Sequence, residues 1–436
     1  MKIAIIGGAS SYTPELIEGL IVRTKTLPVT EIYLVDVPEG AEKLHIIYGL
    51  TLRMLKKSNC HIKVFKTMDR REALVDCSYV VTQLRVGGME ARAQDEAIPL
   101  KYNHLGQETT GAGGFAKALR TIPVLLSIAR DMEELCPDAW LINFTNPSGI
   151  VTEALLKHTR IRAIGLCNAP MGLHRSLSDH LKIGWDDLYI QLIGLNHLNW
   201  ANKIFVKGRD VTKELFRDDS FLEYVAGILS DHPGSKELVS ALKAIPSYYC
   251  SYFYFENQAI MKDLKDVDDG KGTRANHIME LEKDLFKLYA QPDLDEKPEQ
   301  LSKRGGALYS EAALSLVESI HNDDGKMHIV NVMNNGAIPD LPHDGVIESN
   351  CLVNKSGAHP IASGKLPVTL SALTKAVKIY EQLTIEAAIT GCRQTAFLAL
   401  MNNPLIHGAD NALNILDDLL RAHKPYLAHF FDEEDK

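Results

Sequence analysis

The chain has 436 residues, of which 45% are hydrophobic and 24% charged, with a formal net charge of −9. That length suits two domains, or one large core with a second lobe. The acidic balance excludes nucleic acid and anionic membrane as the main partner, because both need a positive field; a phosphorylated small molecule remains open to it wherever a few arginines converge. Seven cysteines (60, 77, 136, 167, 250, 351, 392) are odd in number and lack CxxC spacing, which points to a reducing, cytoplasmic compartment. No apolar run approaches the ~18 residues a membrane span needs, and the apolar start is too short for a signal peptide.

Lys2–Ile6 is a short apolar run suited to a buried parallel strand. Gly7-Gly8-Ala9-Ser10-Ser11-Tyr12-Thr13-Pro14 is a small-residue turn, and Pro14 suits the first turn of a helix over Glu15 to about Arg23. Ile32–Asp36 reads as a second strand ending in an acid. Strand, glycine-rich turn, helix, strand and terminal carboxylate is the layout of a dinucleotide-binding βαβ unit. The helix N-terminus meets the pyrophosphate and the acid takes ribose hydroxyls. The fingerprint is degenerate: read as GxGxxG from Gly7, it has Ala9 for the second glycine and Tyr12 for the third. Asp36 favours NAD over NADP, whose 2′-phosphate it would repel; the plainer alternative is a solvated strand-end carboxylate.

Further strands are expected at 62–66, 79–84, 140–143 and 162–166, with helical patterns between most of them, including 118–134. This alternation predicts an α/β, Rossmann-like, doubly wound and mostly parallel sheet, with ligands beyond the carboxyl ends of its strands. Arg85-Val-Gly-Gly88, Asn143–Gly149 and Cys167-Asn168 all fall at such ends. Gly106–Gly114 reads as a flexible glycine-rich loop. From about Leu188 the pattern changes: strands at 189–193 and 200–206 flank His197, and helices then dominate. Residues 1–195 are therefore expected to form the NAD-binding domain, and 196–436 a helix-rich α+β domain for substrate binding and assembly. Tyrosines cluster at 244–255, where half-buried packing is the default. Residues 291–306 read as a loop, 328–332 and pieces of 345–367 as strands or an extended hairpin, 372–400 as one long amphipathic helix, and 431–436 as a charged tail that frays.

Cys167 and His197 each stand just beyond an apolar run, in Gly165-Leu-Cys and Gly194-Leu-Asn-His. Taken singly, such residues are most often a small buried hydrophobe and a satisfied polar group. As a pair, a thiolate and an imidazole can hold a transition-metal ion and leave positions open for substrate; softness alone suggests zinc. Arg85, Arg92 and Arg120 surround the glycine-rich loop, and Arg274 follows the tyrosine cluster. Arginine forks match phosphate oxygens; surface ion pairing with Glu90, Asp95 and Glu96 is the alternative.

These segments, together with Pro246–Tyr254, Thr273–Asn276 and Asn331–Pro339, resemble a family 4 glycoside hydrolase of the NAD-dependent kind, in its 6-phospho-β-glucosidase branch. That family stands apart from two-carboxylate glycosidases. The resemblance implies NAD and Mn2+ as cofactors, a phosphorylated sugar as substrate, and a homodimer or homotetramer. It implies redox-assisted elimination: NAD takes hydride from C3, the C2 proton becomes acidic, the aglycone leaves C1, water adds, and hydride returns. By the same resemblance Gly7, Gly8, Ala9, Ser10, Ser11, Asp36 and Arg85 would hold NAD, and Cys167 and His197 would ligate the metal. Tyr249 would be the C2 base, with Tyr248 and Tyr252 close by and Arg274 or the metal favouring its phenolate. Arg92, Asn146 and Arg274 would hold the substrate and its phosphate. Asn168 stands where 6-phospho-α-glucosidases carry a proton-donating Asp, which implies β-linked substrates. Three other readings compete: an α-specific enzyme of the same family, an NAD-dependent 2-hydroxy acid dehydrogenase, and a non-catalytic nucleotide sensor. The chain departs from the family pattern at Ala9, at Phe253 where a tyrosine is usual, and at Ile347-Glu-Ser-Asn350, which lacks an expected proline.

Overall fold

The computed structural model describes residues 1–230, 232–304 and 308–431. Six parallel strands form the first half: β1 (Lys2–Ile6), β2 (Glu31–Val35), β3 (Lys63–Thr67), β4 (Tyr79–Thr82), β5 (Trp140–Asn143) and β6 (Arg162–Gly165). Their spatial order, β3-β2-β1-β4-β5-β6, is that of a doubly wound dinucleotide-binding sheet. Side chains alternate between its faces. Ile3 and Ile5 enter one core with Ile32, Leu34, Ile142 and Ile164, while Ala4 and Ile6 enter the other with Val80, Leu141 and Ala163. Both faces are covered, which is why these strands read as apolar runs and not as alternating ones.

After β6 the chain makes an antiparallel hairpin of β7 (Leu188–Leu195) and β8 (Leu198–Val206), extended by the short β9 (Arg209–Asp210) and β10 (Ile245–Pro246). Three later strands, β11 (Lys326–Met333), β12 (Val346–Asn354) and β13 (Gly357–Pro360), return to the first sheet. They add to it antiparallel, through β6, and complete nine strands. The first sheet thus draws strands from both halves of the chain.

Three expectations change. The glycine-rich segment is only partly a loop: Gly111 opens a helix that runs to Leu135, with Gly111–Gly114 buried in its first turn. Small residues there let the helix start against the backbone of Thr109 and Gln107, where a Cβ would collide. That helix has the length and hydropathy to cross a membrane, but 83% of its apolar window is buried, so it is a core helix. The single long helix over 372–400 is two helices, Val368–Thr390 and Arg393–Asn402. Gly391 breaks it: its φ of +69° ends the first helix in the left-handed conformation, and a Cβ there would lie 2.2 Å from the His429 carbonyl oxygen. The expected 291–306 loop holds a 3-10 turn at Glu299–Arg304, with 305–306 outside the described residues. The charged tail beyond Phe431 also lies outside them.

Candidate active site

The first βα turn is held from below. Gly7 and Gly8 both donate N–H to the Val35 carbonyl at the end of β2, at 2.9 and 2.8 Å. Asp36 accepts from the Ala9 and Val37 amides at 2.8 and 2.9 Å, so the strand-end acid is tied into the turn and is not simply solvated. Burial raises its pKa, against the pull of those two N–H donors. Ser10 is half-buried, and its hydroxyl accepts from the Tyr12 amide. Ser11 is buried and donates to Glu282, while Tyr12 stacks on Tyr309 with centroids 5.2 Å apart. The turn is thereby braced by the helix Arg274–Tyr289 and the helix Tyr309–Asn322, segments some 270–300 residues away in sequence.

The arginines around the second strand ends are neither surface pairs nor free forks. Their centre is Glu108, which sequence reasoning passed over inside the glycine-rich segment. Arg85 reaches one of its oxygens at 2.6 Å and Lys117 the same oxygen at 3.0 Å, while Arg92 reaches the other at 3.1 Å. Three cations hold the Glu108 carboxyl far below the usual range, against the desolvation that would raise it. Burial, then Arg85, depress the Lys117 ammonium to about 7, despite its contact with Glu108. Arg92 is also pinned to Glu96 at 2.7 Å, and Glu96 accepts from the Ala275 amide at 2.7 Å. Arg120 forms a two-pronged pair with Asp95 at 2.8 and 2.7 Å, fully buried and joined by His423.

Cys167 and His197 come together. The thiol follows β6, and the imidazole sits in the two-residue turn between β7 and β8, whose last pair is Leu195 and Leu198. Sγ and Nε2 are 3.6 Å apart, and both residues are under 10% exposed. His197 has φ +62°, left-handed backbone that costs a non-glycine residue on the order of 1–3 kcal/mol. Burial, then the Glu348 carboxylate, push the Cys167 thiol up to about 12, while burial depresses His197 to about 3. The imidazole is therefore neutral with a lone pair available, and a cation binding the sulfur displaces its proton. Among the described residues no third His, Cys, Asp or Glu joins them.

The Tyr249 ring lies on the His197 imidazole, with centroids 3.6 Å apart and planes 16° from parallel. Tyr248 and Tyr252 pack against the Tyr249 ring, at 4.1 and 6.2 Å, and Tyr249 is the tyrosine of the cluster stacked on His197. Burial, then Tyr248 and Cys167, raise its pKa well above 10. The expected help from Arg274 does not appear: that side chain is exposed at the start of its helix, and no carboxylate among the described residues pairs with it. Asn146 precedes Pro147, and its Oδ1 is buried with no partner among the described residues, a vacant acceptor at the mouth of the sheet. Asn168 stands at the start of the helix Ala169–Leu181, beside Cys167.

Beneath this centre lies Glu348, which the sequence offers only as the acid of Ile347-Glu-Ser-Asn350 and to which it assigns no role. It is fully buried in β12, and its oxygens accept from the side-chain amides of Asn196 at 3.1 Å, Asn331 at 3.3 Å and Asn199. Burial raises it to about 7 against those donors. A cavity that shares Asn196 with it, lined also by Thr110, His197, Tyr380, Glu381 and Asn403, holds the buried Thr110 Oγ1, which has no partner among the described residues.

A 3-2-1-4-5-6 sheet, with a braced glycine turn and a thiol–imidazole pair at its strand ends, places the chain among dinucleotide-binding α/β enzymes. The family 4 glycosyl hydrolase model matches residues 2–183, and the family's C-terminal domain model matches residues 192–406. The chain belongs to that family. It is 46% identical over 436 residues to a probable 6-phospho-beta-glucosidase of Bacillus subtilis, covering 99% of this chain and 98% of that one. It is 41% identical to the 6-phospho-beta-glucosidase of Escherichia coli, covering 99% and 97%. Among solved structures it matches the 6-phospho-beta glucosidase from Thermotoga maritima with manganese, NAD+ and glucose-6-phosphate, at a TM-score of 0.89 and 37% identity, covering 98% and 99%. Membership of this hydrolase family removes the dehydrogenase and sensor readings.

Proposed function

We propose that the protein hydrolyses 6-phospho-β-glucosides by redox-assisted elimination, with NAD and Mn2+ as cofactors. One observation carries the reading: Cys167 Sγ and His197 Nε2 converge to 3.6 Å, under the stacked Tyr249 ring, at the edge of a sheet whose first turn is a dinucleotide cradle. The residues fit both groups. A Cβ on Gly7 or Gly8 would strike the backbone of Gln83 or Val35 at 2.8–2.9 Å, so the glycines seat the turn tightly on the neighbouring strand ends, and Asp36 beside it disfavours a 2′-phosphate. The thiol and neutral imidazole offer two donors and leave room for substrate oxygens. When bound, NAD supplies reversible hydride transfer and Mn2+ supplies Lewis acidity beside the sugar carbon being deprotonated.

The chain's own residues do the rest. Tyr249 takes the C2 proton; its burial keeps the phenol protonated unless positive charge stands next to it. Asn168 cannot act as an acid, so no side chain there protonates the departing group, which favours β-linked substrates. Arg92, Asn146 and Arg274 orient the sugar and its phosphate: Arg92 is fixed by Glu96 and Glu108, Asn146 Oδ1 is buried with no partner among the described residues, and Arg274 is an exposed guanidinium with no carboxylate partner among them. Arg85, anchored on Glu108, would join Gly7–Ser11 and Asp36 in holding the dinucleotide. Residues 1–195 serve as the NAD domain and 196–436 as the substrate and assembly domain of a cytoplasmic homodimer or homotetramer, in keeping with seven free cysteines.

The test is hydrolysis of chromogenic α- and β-glucosides, with and without a 6-phosphate, in NAD+, Mn2+ and reductant. Cleavage of the phosphorylated β-substrate that needs both cofactors is expected. Preference for the α-anomer would overturn the role given to Asn168, and cleavage independent of NAD+ would overturn the mechanism.

A further inference from the structure

Glu348 presents an anomaly. It is a fully buried carboxyl, and no lysine, arginine or histidine among the described residues pairs with it. Its partners are three asparagine amides, and two of these are fixed in orientation by second bonds. Asn196 Oδ1 accepts from the Gly149 amide at 3.4 Å, leaving its Nδ2 for Glu348, and Asn199 Nδ2 also donates to the Leu195 carbonyl at 3.2 Å. Three N–H donors facing two oxygens suit an acceptor-only carboxylate. A buried anion without a cation is costly, and the protein does not supply the cation.

The location says what would. Asn196 and Asn199 belong to the hairpin that carries His197, so Glu348 grips that turn on both sides of the imidazole. Asn331 lies opposite Gly165, two residues before Cys167, and opposite Glu348 itself in the β11–β12 pair. One carboxylate therefore ties together the backbones that present the sulfur and the ring nitrogen, and its charge is felt at Cys167. A divalent cation held by one thiolate and one neutral imidazole keeps a single positive charge, which one further anion would neutralise.

We propose that Glu348 is the positioning residue and charge partner of the Cys167–His197 metal site, clamping the His197 hairpin to β11 and β12 and completing the site's charge balance. This rests on the metal reading above. Outer partners of this kind govern affinity even though they never touch the ion.

Mn2+ is titrated into the full-length, NAD-loaded protein without substrate, and free Mn2+ is counted by electron paramagnetic resonance. Glu348→Gln keeps the shape but turns an NH2 toward amide donors and removes the charge. It is expected to weaken Mn2+ binding by about 10- to 100-fold, with NAD affinity within about twofold of the parent. Glu348→Asp, which keeps the charge, is expected to recover most of that loss. If Glu348→Gln does not fold, Asn331→Ser, which removes one clamp donor, is expected to weaken Mn2+ binding in the same sense. Unchanged Mn2+ affinity in whichever of these folds overturns the proposal, as does parallel loss of Mn2+ and NAD binding. Cys167→Ser separates the two readings: if it and the parent bind Mn2+ alike, the metal site itself is wrong and the Glu348 proposal falls with it.

Discussion

Glu108→Gln removes the anion from the middle of Arg85, Arg92 and Lys117, and its cost can be worked from the structure. Breaking a buried ion pair from one side costs about 3–5 kcal/mol when both partners are dry. The Glu108 side chain is 19% exposed, and Arg92 keeps its bond to Glu96, so about 2–4 kcal/mol is the expected loss. With an unfolding entropy of about 2.1 cal/mol/K per residue, a chain of 436 residues loses about 1 °C per kcal/mol, which gives a melting temperature lower by about 2–4 °C at neutral pH. The pH dependence carries the sharper test. Lys117 has its pKa depressed to about 7 in the folded state, so it binds fewer protons there than when unfolded, and stability rises with pH between about 7 and the ordinary lysine value of 10.5. Without Glu108 that pKa falls further, because the one attractive charge is gone. Below pH ~7 the parent has already protonated Lys117 and loses nothing more from it, while the variant continues to lose stability. The gap in melting temperature between parent and variant should therefore widen from pH 9 to pH 6, measured by differential scanning calorimetry. A gap that narrows as pH falls, or a variant melting within 1 °C of the parent throughout, would refute this account of the cluster.

Cys167→Ser should abolish turnover while NAD binding, followed by fluorescence titration, stays within about threefold; equal loss of both would contradict the separation of the two sites. Tyr249→Phe should lower kcat by at least about 100-fold and suppress exchange of the sugar C2 proton with solvent deuterium, whereas Tyr252→Phe, whose ring is 6.2 Å from that of Tyr249, should leave exchange measurable. Gly7→Ala forces φ of +89° on a side chain and a Cβ to 2.8 Å from the Gln83 carbonyl oxygen. A loss of about 2–4 kcal/mol, together with weaker NAD binding, is expected from denaturant titration with and without the dinucleotide.

The part of the site that could be read from sequence is the part where local chain order and spatial order coincide. Gly7–Asp36 is one βαβ unit, so its turn, helix and acid were visible within 36 residues. Cys167 and His197 were visible because each closes an apolar run, Cys167 at the end of a parallel strand and His197 at the turn of the β7–β8 hairpin. The roles of Glu348 and Glu108 were not visible for the opposite reason. Glu348 sits in mid-strand, in a stretch that looks like any half-polar hairpin, and its meaning comes from asparagines on β8 and β11 and in the hairpin turn, up to 152 positions away. Lys378, buried between Glu153 and Glu381, is the same case on a helix: its spacing reads as an amphipathic face, while its partner Glu153 lies 225 residues back. Periodicity reports which face of an element is apolar and is silent about a charge that is buried because another segment satisfies it. The same distinction separates the failures over regular structure. The helix break at Gly391 is fixed by its close approach to the His429 backbone, a contact that exists only after the chain has closed on itself, whereas the helix start at Gly111 rests on local contacts of Gly113 and Gly114 with Gln107 and Thr109. Residues that make this chain's chemistry possible are thus partly residues whose role has no local signature. Glu348 is the sharpest instance, since the strand that carries it, paired between β11 and β13, gives no local sign of a charge at its centre.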